Sequence, residues 1–209
     1  IKFDPKDTSI QKLKFLSTGR RSLLIVCAFI LFLSLSEYLT TRLETVEIGL
    51  VGHGVTLLIL LLLSAIVADH TEQRIYLTLS FAPLIRMISL SLPLQPFPRV
   101  YWYLIVGLLV YIAVYFVIRY GQFTVKQTGL TARYWFLQLL IGLIGIGLGY
   151  VEYLILKPES LIDEMTLSQF WLPALILVVF TGILEEVVFR GLMQTAFIAK
   201  FKSWIGIGL

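Results

Sequence analysis

Apolar runs of 18 or more residues recur along this 209-residue chain, each long enough to cross the roughly 30 Å hydrocarbon core of a bilayer as a helix. No other feature restricts the fold so strongly. In lipid every backbone N–H and C=O needs a partner inside the protein, and a helix supplies those partners within one segment. Composition agrees: 58% of residues are hydrophobic and 14% charged, against about 45–50% and about 25% in soluble domains. The expected fold is an all-α polytopic transmembrane bundle, with a basic cytoplasmic N-terminal arm over residues 1–21 and a transmembrane domain over residues 22–209. The arm reads equally as a short amphipathic helix on an anionic membrane surface or as a disordered basic segment.

Six spans are predicted, over Ser22–Leu39, Ile48–Ala68, Ile75–Leu94, Tyr101–Ile118, Trp135–Leu156 and Phe170–Phe189. The third contains Pro83, Arg86 and Pro93, the signature of a kinked, re-entrant or shielded segment. Trp204 to Leu209 resemble the start of a seventh span, and a half-inserted helix would strand backbone groups in lipid, so the sequence reads as a piece of a longer chain. If all six spans cross, thirteen of the seventeen Lys and Arg fall on the side of the N-terminus and three on the other, with Arg86 inside a span. The positive-inside rule then puts the N-terminus in the cytoplasm. The same rule accounts for the net charge of +4 without a nucleic-acid partner. Cys27, the single cysteine, excludes an internal disulfide and reads as a small core hydrophobe. Gly145 and Gly149 in the fifth span form a G-x-x-x-G spacing suited to close helix packing.

Chemistry concentrates at the end of the sixth span, Leu184-Glu185-Glu186-Val187-Val188-Phe189-Arg190-Gly191. A carboxylate inside a membrane helix costs roughly 2.5–3.5 kcal/mol on insertion scales, so two in succession require a reason. Glu186 and Arg190 are four residues apart, the acid first, which favours an ion pair on one helix face. Glu185 lies about 100° around the helix, with Thr181 and Phe189 as its four-residue neighbours, and neither can neutralise it. One glutamate is thus paired and the other is free to take a proton from water. Physics alone leaves a second reading open, a buried ion-pair network that pins the sixth helix. Arg190→Ala is expected to harm folding more than Glu185→Gln, since it leaves Glu186 buried without its partner, at about 3–5 kcal/mol.

These residues resemble the first motif of the CPBP (CAAX protease and bacteriocin-processing) intramembrane proteases, which include the type II CAAX prenyl endopeptidases. Thr128-Gly129-Leu130 resembles a short G-L feature upstream of that motif. The resemblance implies a bundle of about eight helices and a glutamate-dependent, metal-independent, cofactor-free peptidase. It would act on a hydrophobic or prenylated peptide tail at the cytoplasmic side. Glu185 would activate water, Glu186 would assist and Arg190 would hold both glutamates. The family's F-x-x-x-H and H-x-x-x-N motifs have no counterpart in these residues, whose only histidines are His53 and His70. The competing expectation is a non-catalytic CPBP-like subunit that packs against neighbouring subunits of a membrane complex.

Two further expectations concern charges elsewhere. Arg86 and Glu152 are both assigned to the outer half of the membrane and are expected to pair, with Glu37 as the rival partner of Arg86. Asp69, His70 and Glu72 read as a solvated loop, since their spacing is not that of a metal site.

Overall fold

The computed structural model describes residues 5–42, 46–129, 135–157, 161, 166–201 and 203–208. The described residues are mainly helical, with no strand among them, and five of their helical stretches are long and apolar enough to cross a membrane: Gly19–Thr41, Val46–Ile66, Arg99–Tyr120, Phe136–Leu156 and Gln169–Lys200. Helix α1 (Pro5–Arg42) continues without a break through residue 21, so the arm and the first span share one helix from Pro5 onward. Cys27 is exposed on α1 rather than in the core, because Val26 takes the inward position beside it.

Helix α2 (Val46–Ile66) packs closely on α1 because the facing residues are small. A Cβ on Gly49 would stand 1.9 Å from Thr40 Oγ1, and one on Gly52 would stand 2.4 Å from Ser36 Oγ. Ser36 and Thr40 turn their hydroxyls back onto Phe32 O and Ser36 O, so this seam carries no unsatisfied hydroxyl into lipid.

The third predicted span divides into α3 (His70–Leu79) and α4 (Phe81–Ser91), joined at Ser80. Pro83, lacking an N–H, cannot bond the carbonyl four residues before it, and the chain breaks one turn upstream. Both halves pack on α2, and Ile75, Tyr76, Thr78, Leu79, Ser80, Phe81 and Pro83 are all buried. These contacts bury the broken, proline-bearing join between α3 and α4 inside the protein.

Helix α5 (Arg99–Tyr120) packs on α4 and on the motif helix, residues 167–200. Helix α6 (Trp135–Leu156) packs closely on none of the described elements. A Cβ on Gly142, Gly145, Gly147 or Gly149 would meet nothing within 4 Å, so no described residue packs into the G-x-x-x-G face.

Arg86 does not pair with Glu152. Its guanidinium grips Glu37 of α1 with two hydrogen bonds, Nε to Oε2 at 2.6 Å and Nη2 to Oε1 at 2.5 Å. The tight α1–α2 seam brings Glu37 beside α4, whereas Glu152 is exposed on α6. The rival partner holds the arginine.

Candidate active site

The motif helix is not a uniform α-helix. It opens as α7 (Leu167–Leu177) and widens into π-helical turns over Val178–Ile183 and Glu186–Met193. Leu184 and Glu185 lie between the two segments, and α8 (Gln194–Lys200) closes the helix. A π-turn replaces the i→i+4 ladder with i→i+5 bonds, and such turns concentrate at functional sites. Neighbouring α5 supports the first of them. The Tyr111 hydroxyl donates to Val179 O at 2.6 Å, and its ring meets Phe180 edge to face. One turn earlier, Gly107 admits Phe180 so closely that a Cβ there would stand 2.7 Å from the Phe180 Cβ.

The wider turns separate the two glutamates as their spacing predicts. Arg190 Nη1 lies 2.8 Å from Glu186 Oε2, four residues back along the helix. Glu185 faces a cavity of about 420 Å³ that Thr181, Leu184, Val188 and Phe189 line from the same helix. Across it stand Ile85 and Ser89 of α4, and Arg99, Trp102, Tyr103 and Val106 of α5. No cation among the described residues forms an ion pair with Glu185.

One expectation is corrected. The Glu186–Arg190 pair is not buried, its side chains being 57% and 67% exposed respectively. Val187, Val188, Gly191 and Leu192 occupy the core face of this segment and turn the pair outward. The larger penalty assigned to Arg190→Ala from the sequence presumed a buried pair, which the described residues do not provide.

The upstream G-L feature meets the motif directly. Thr128 is buried, and Gly129, at φ +77°, turns the chain where an L-residue would be strained. A Cβ on Gly191 would stand 2.3 Å from Thr128 O and 2.7 Å from Thr128 C. Leu130 lies outside the described residues. The loop is held in turn by Arg74, which donates to Gly121 O and Gln122 O at 2.7 Å and stacks over the Phe123 ring. Because Gly107 meets Phe180 while Thr128, after α5, meets Gly191, the two helices run in the same direction. Arg99 opens α5 about 12 Å before Gly107 at 1.5 Å per residue, and Glu185 follows Phe180. The cavity therefore extends along the helices rather than across them.

At the far end of the motif helix, Asp69, His70 and Glu72 are not an ordinary solvated loop. Asp69 caps α3, accepting from the Thr71 N–H at 2.9 Å. Lys200 Nζ, almost buried, reaches Asp69 Oδ2 at 2.5 Å and Glu72 Oε1 at 2.9 Å, and Ser22 of α1 donates to the same Glu72 oxygen. Sequence reasoning missed this clamp, along with Tyr111 and Arg74. Its one visible signal was that its charges fall on the same side of the bundle. Burial works to raise the Asp69 carboxyl, but the hydrogen bonds from Lys200 and from the Thr71 N–H outweigh it and hold the group below its ordinary value of 3.8. A depressed carboxylate contributes stability that is complete above its unfolded pKa and is lost as pH falls through the folded one. Asp69→Asn should therefore lower the thermal midpoint by a constant amount between pH 5 and pH 8, and the gap should close only below about pH 4. Thermal melts in detergent across that range check this.

Comparison with known proteins bears on this same region. The family model described as type II CAAX prenyl endopeptidase Rce1-like matches residues 167–209, roughly the last fifth of the chain. That stretch holds the whole motif helix, including Glu185, Glu186 and Arg190. Neither the curated proteins nor the solved structures yield a match.

Proposed function

We propose that this integral multi-pass membrane protein, whose residues 167–209 match the Rce1-like family model, is an intramembrane glutamate endopeptidase. It cleaves a hydrophobic or lipidated peptide tail at the cytoplasmic side. The observation that carries this reading is the Glu185 carboxylate, which pairs with no cation among the described residues, on the wall of an elongated apolar cavity, while its neighbour is neutralised by Arg190. A carboxylate so placed accepts a proton from water. The hydroxide attacks the scissile carbonyl, and the same proton passes to the departing amine as the C–N bond breaks. Glu186 and Arg190 fix the turn that presents Glu185. Aromatic and aliphatic walls such as Trp102, Tyr103, Val106 and Phe189 suit an apolar tail in extended form.

The competing reading, a non-catalytic subunit of a membrane assembly, draws on the histidines. His53 sits beside Glu37, His70 is exposed at the start of α3, and neither lines the cavity with Glu185. Incubating the protein in lipid nanodiscs with farnesylated and unmodified tail peptides separates the two, with products read by mass spectrometry. Cleavage that persists in chelator supports the metal-independent peptidase. No cleavage of any tail overturns it in favour of the subunit.

The cytoplasmic placement rests on the distribution of Lys and Arg. Single cysteines replacing Lys6 and Lys202, in a Cys27→Ser background, should resist an impermeant maleimide in intact cells and react after permeabilisation. Labelling of either from outside reverses the orientation.

A further inference from the structure

A second polar site lies between α1, α2 and α4, apart from the motif. His53 is 2% exposed, and neither ring nitrogen has a hydrogen-bond partner among the described residues. Its Nε2 stands 3.5 Å from Glu37 Oε2, beyond a well-formed hydrogen bond. Arg86 Nε holds that same carboxylate oxygen, so the glutamate lies between an arginine on α4 and an imidazole on α2. The small residues of the α1–α2 seam press Glu37 into this position. Met87, next to Arg86, fills the space that Gly54 leaves on α2.

Helix α4 has two working faces. Ile85 and Ser89, one turn apart, line the cavity that Glu185 faces. Arg86 lies about 100° around from Ile85 and points to α1. A short helix anchored by one two-pronged contact cannot rotate without carrying its other face along. A guanidinium fork fixes angle as well as distance, which a single point charge does not.

We propose that the Glu37–Arg86 pair, backed by His53, is a positioning site that sets the rotation of α4 and so the width of the cavity opposite Glu185. Its consequence for cleavage, selection among tails by bulk, rests on the function proposed above; the placement of α4 does not. Spin labels at Ser91→Cys on α4 and Leu108→Cys on α5, in a Cys27→Ser background in nanodiscs, report the helix separation by pulsed electron paramagnetic resonance. Arg86→Gln and Glu37→Gln should each shift and broaden the distance distribution, the shift being on the order of 2 Å. The exchange Glu37→Arg with Arg86→Glu should restore it. If Arg86→Gln does not fold, Arg86→Lys takes its place, since it keeps the charge and loses the fork. An unchanged distribution in the folded single variants overturns the proposal, as does an exchange that folds without restoring it. In the cleavage assay, Arg86→Gln should change KM for bulky tails more than for small ones. A shifted distribution in a protein that cleaves no tail leaves the positioning site standing and removes the peptidase reading alone.

Discussion

Glu185→Gln is expected to abolish cleavage of a tail peptide while leaving the bundle folded. Glutamine preserves the shape of the side chain but offers an amide that does not accept water's proton at neutral pH, and a positioned general base contributes typically 10²–10⁴-fold. Stability should change little, for two reasons visible in the site. Glu185 holds no cation among the described residues, so the substitution strands no partner there, and its side chain lines a cavity instead of filling the core. Glu186→Gln is the informative contrast. It leaves Arg190 without its acid, and it should lower activity less, because it disturbs the turn that presents Glu185 and not the base itself. Initial rates and thermal midpoints of both variants, measured in the same nanodiscs, decide the matter. A folded Glu185→Gln protein that cleaves as fast as wild type removes Glu185 from the role of base.

Much of this architecture was legible because the bilayer leaves few choices. Five long helices follow from the apolar runs, and the break near Pro83 follows from a missing N–H. The Glu186–Arg190 contact follows from four-residue spacing, which survives the change from α to π geometry. Arg86 went to Glu37 because small residues along α1 and α2, not the order of spans, decide which helices approach. A residue-by-residue reading of charge cannot see that. The outward turn of the Glu186–Arg190 pair was hidden for a related reason: Val187, Val188 and Gly191 compete for the core face, and the outcome depends on what lies across from them. Lys200 illustrates the same limit, since its partners Asp69 and Glu72 are more than 120 residues away in sequence.

Gly191→Ala should destabilise the protein and slow cleavage, whereas Gly145→Ala should do neither. Alanine ordinarily favours a helix over glycine by up to about 1 kcal/mol, and this is the expectation at Gly145, where a Cβ meets nothing within 4 Å among the described residues. At Gly191 the added carbon would stand 2.3 Å from Thr128 O and 2.9 Å from Thr128 Cα. Those are backbone atoms, so no rotamer change relieves the clash, and overpacking of this kind costs typically about 1–3 kcal/mol. The loop has little freedom to retreat, since Arg74 holds its start at Gly121 and Gln122. The motif helix must therefore move away, carrying Glu185 six residues upstream. A displacement of about 1 Å at a reacting group can cost about 10²-fold in rate. The two alanine variants should thus differ in thermal midpoint and by roughly two orders of magnitude in kcat/KM. Equal stability and equal rates would mean that the apposition of Gly191 and Thr128 does not hold the motif in place.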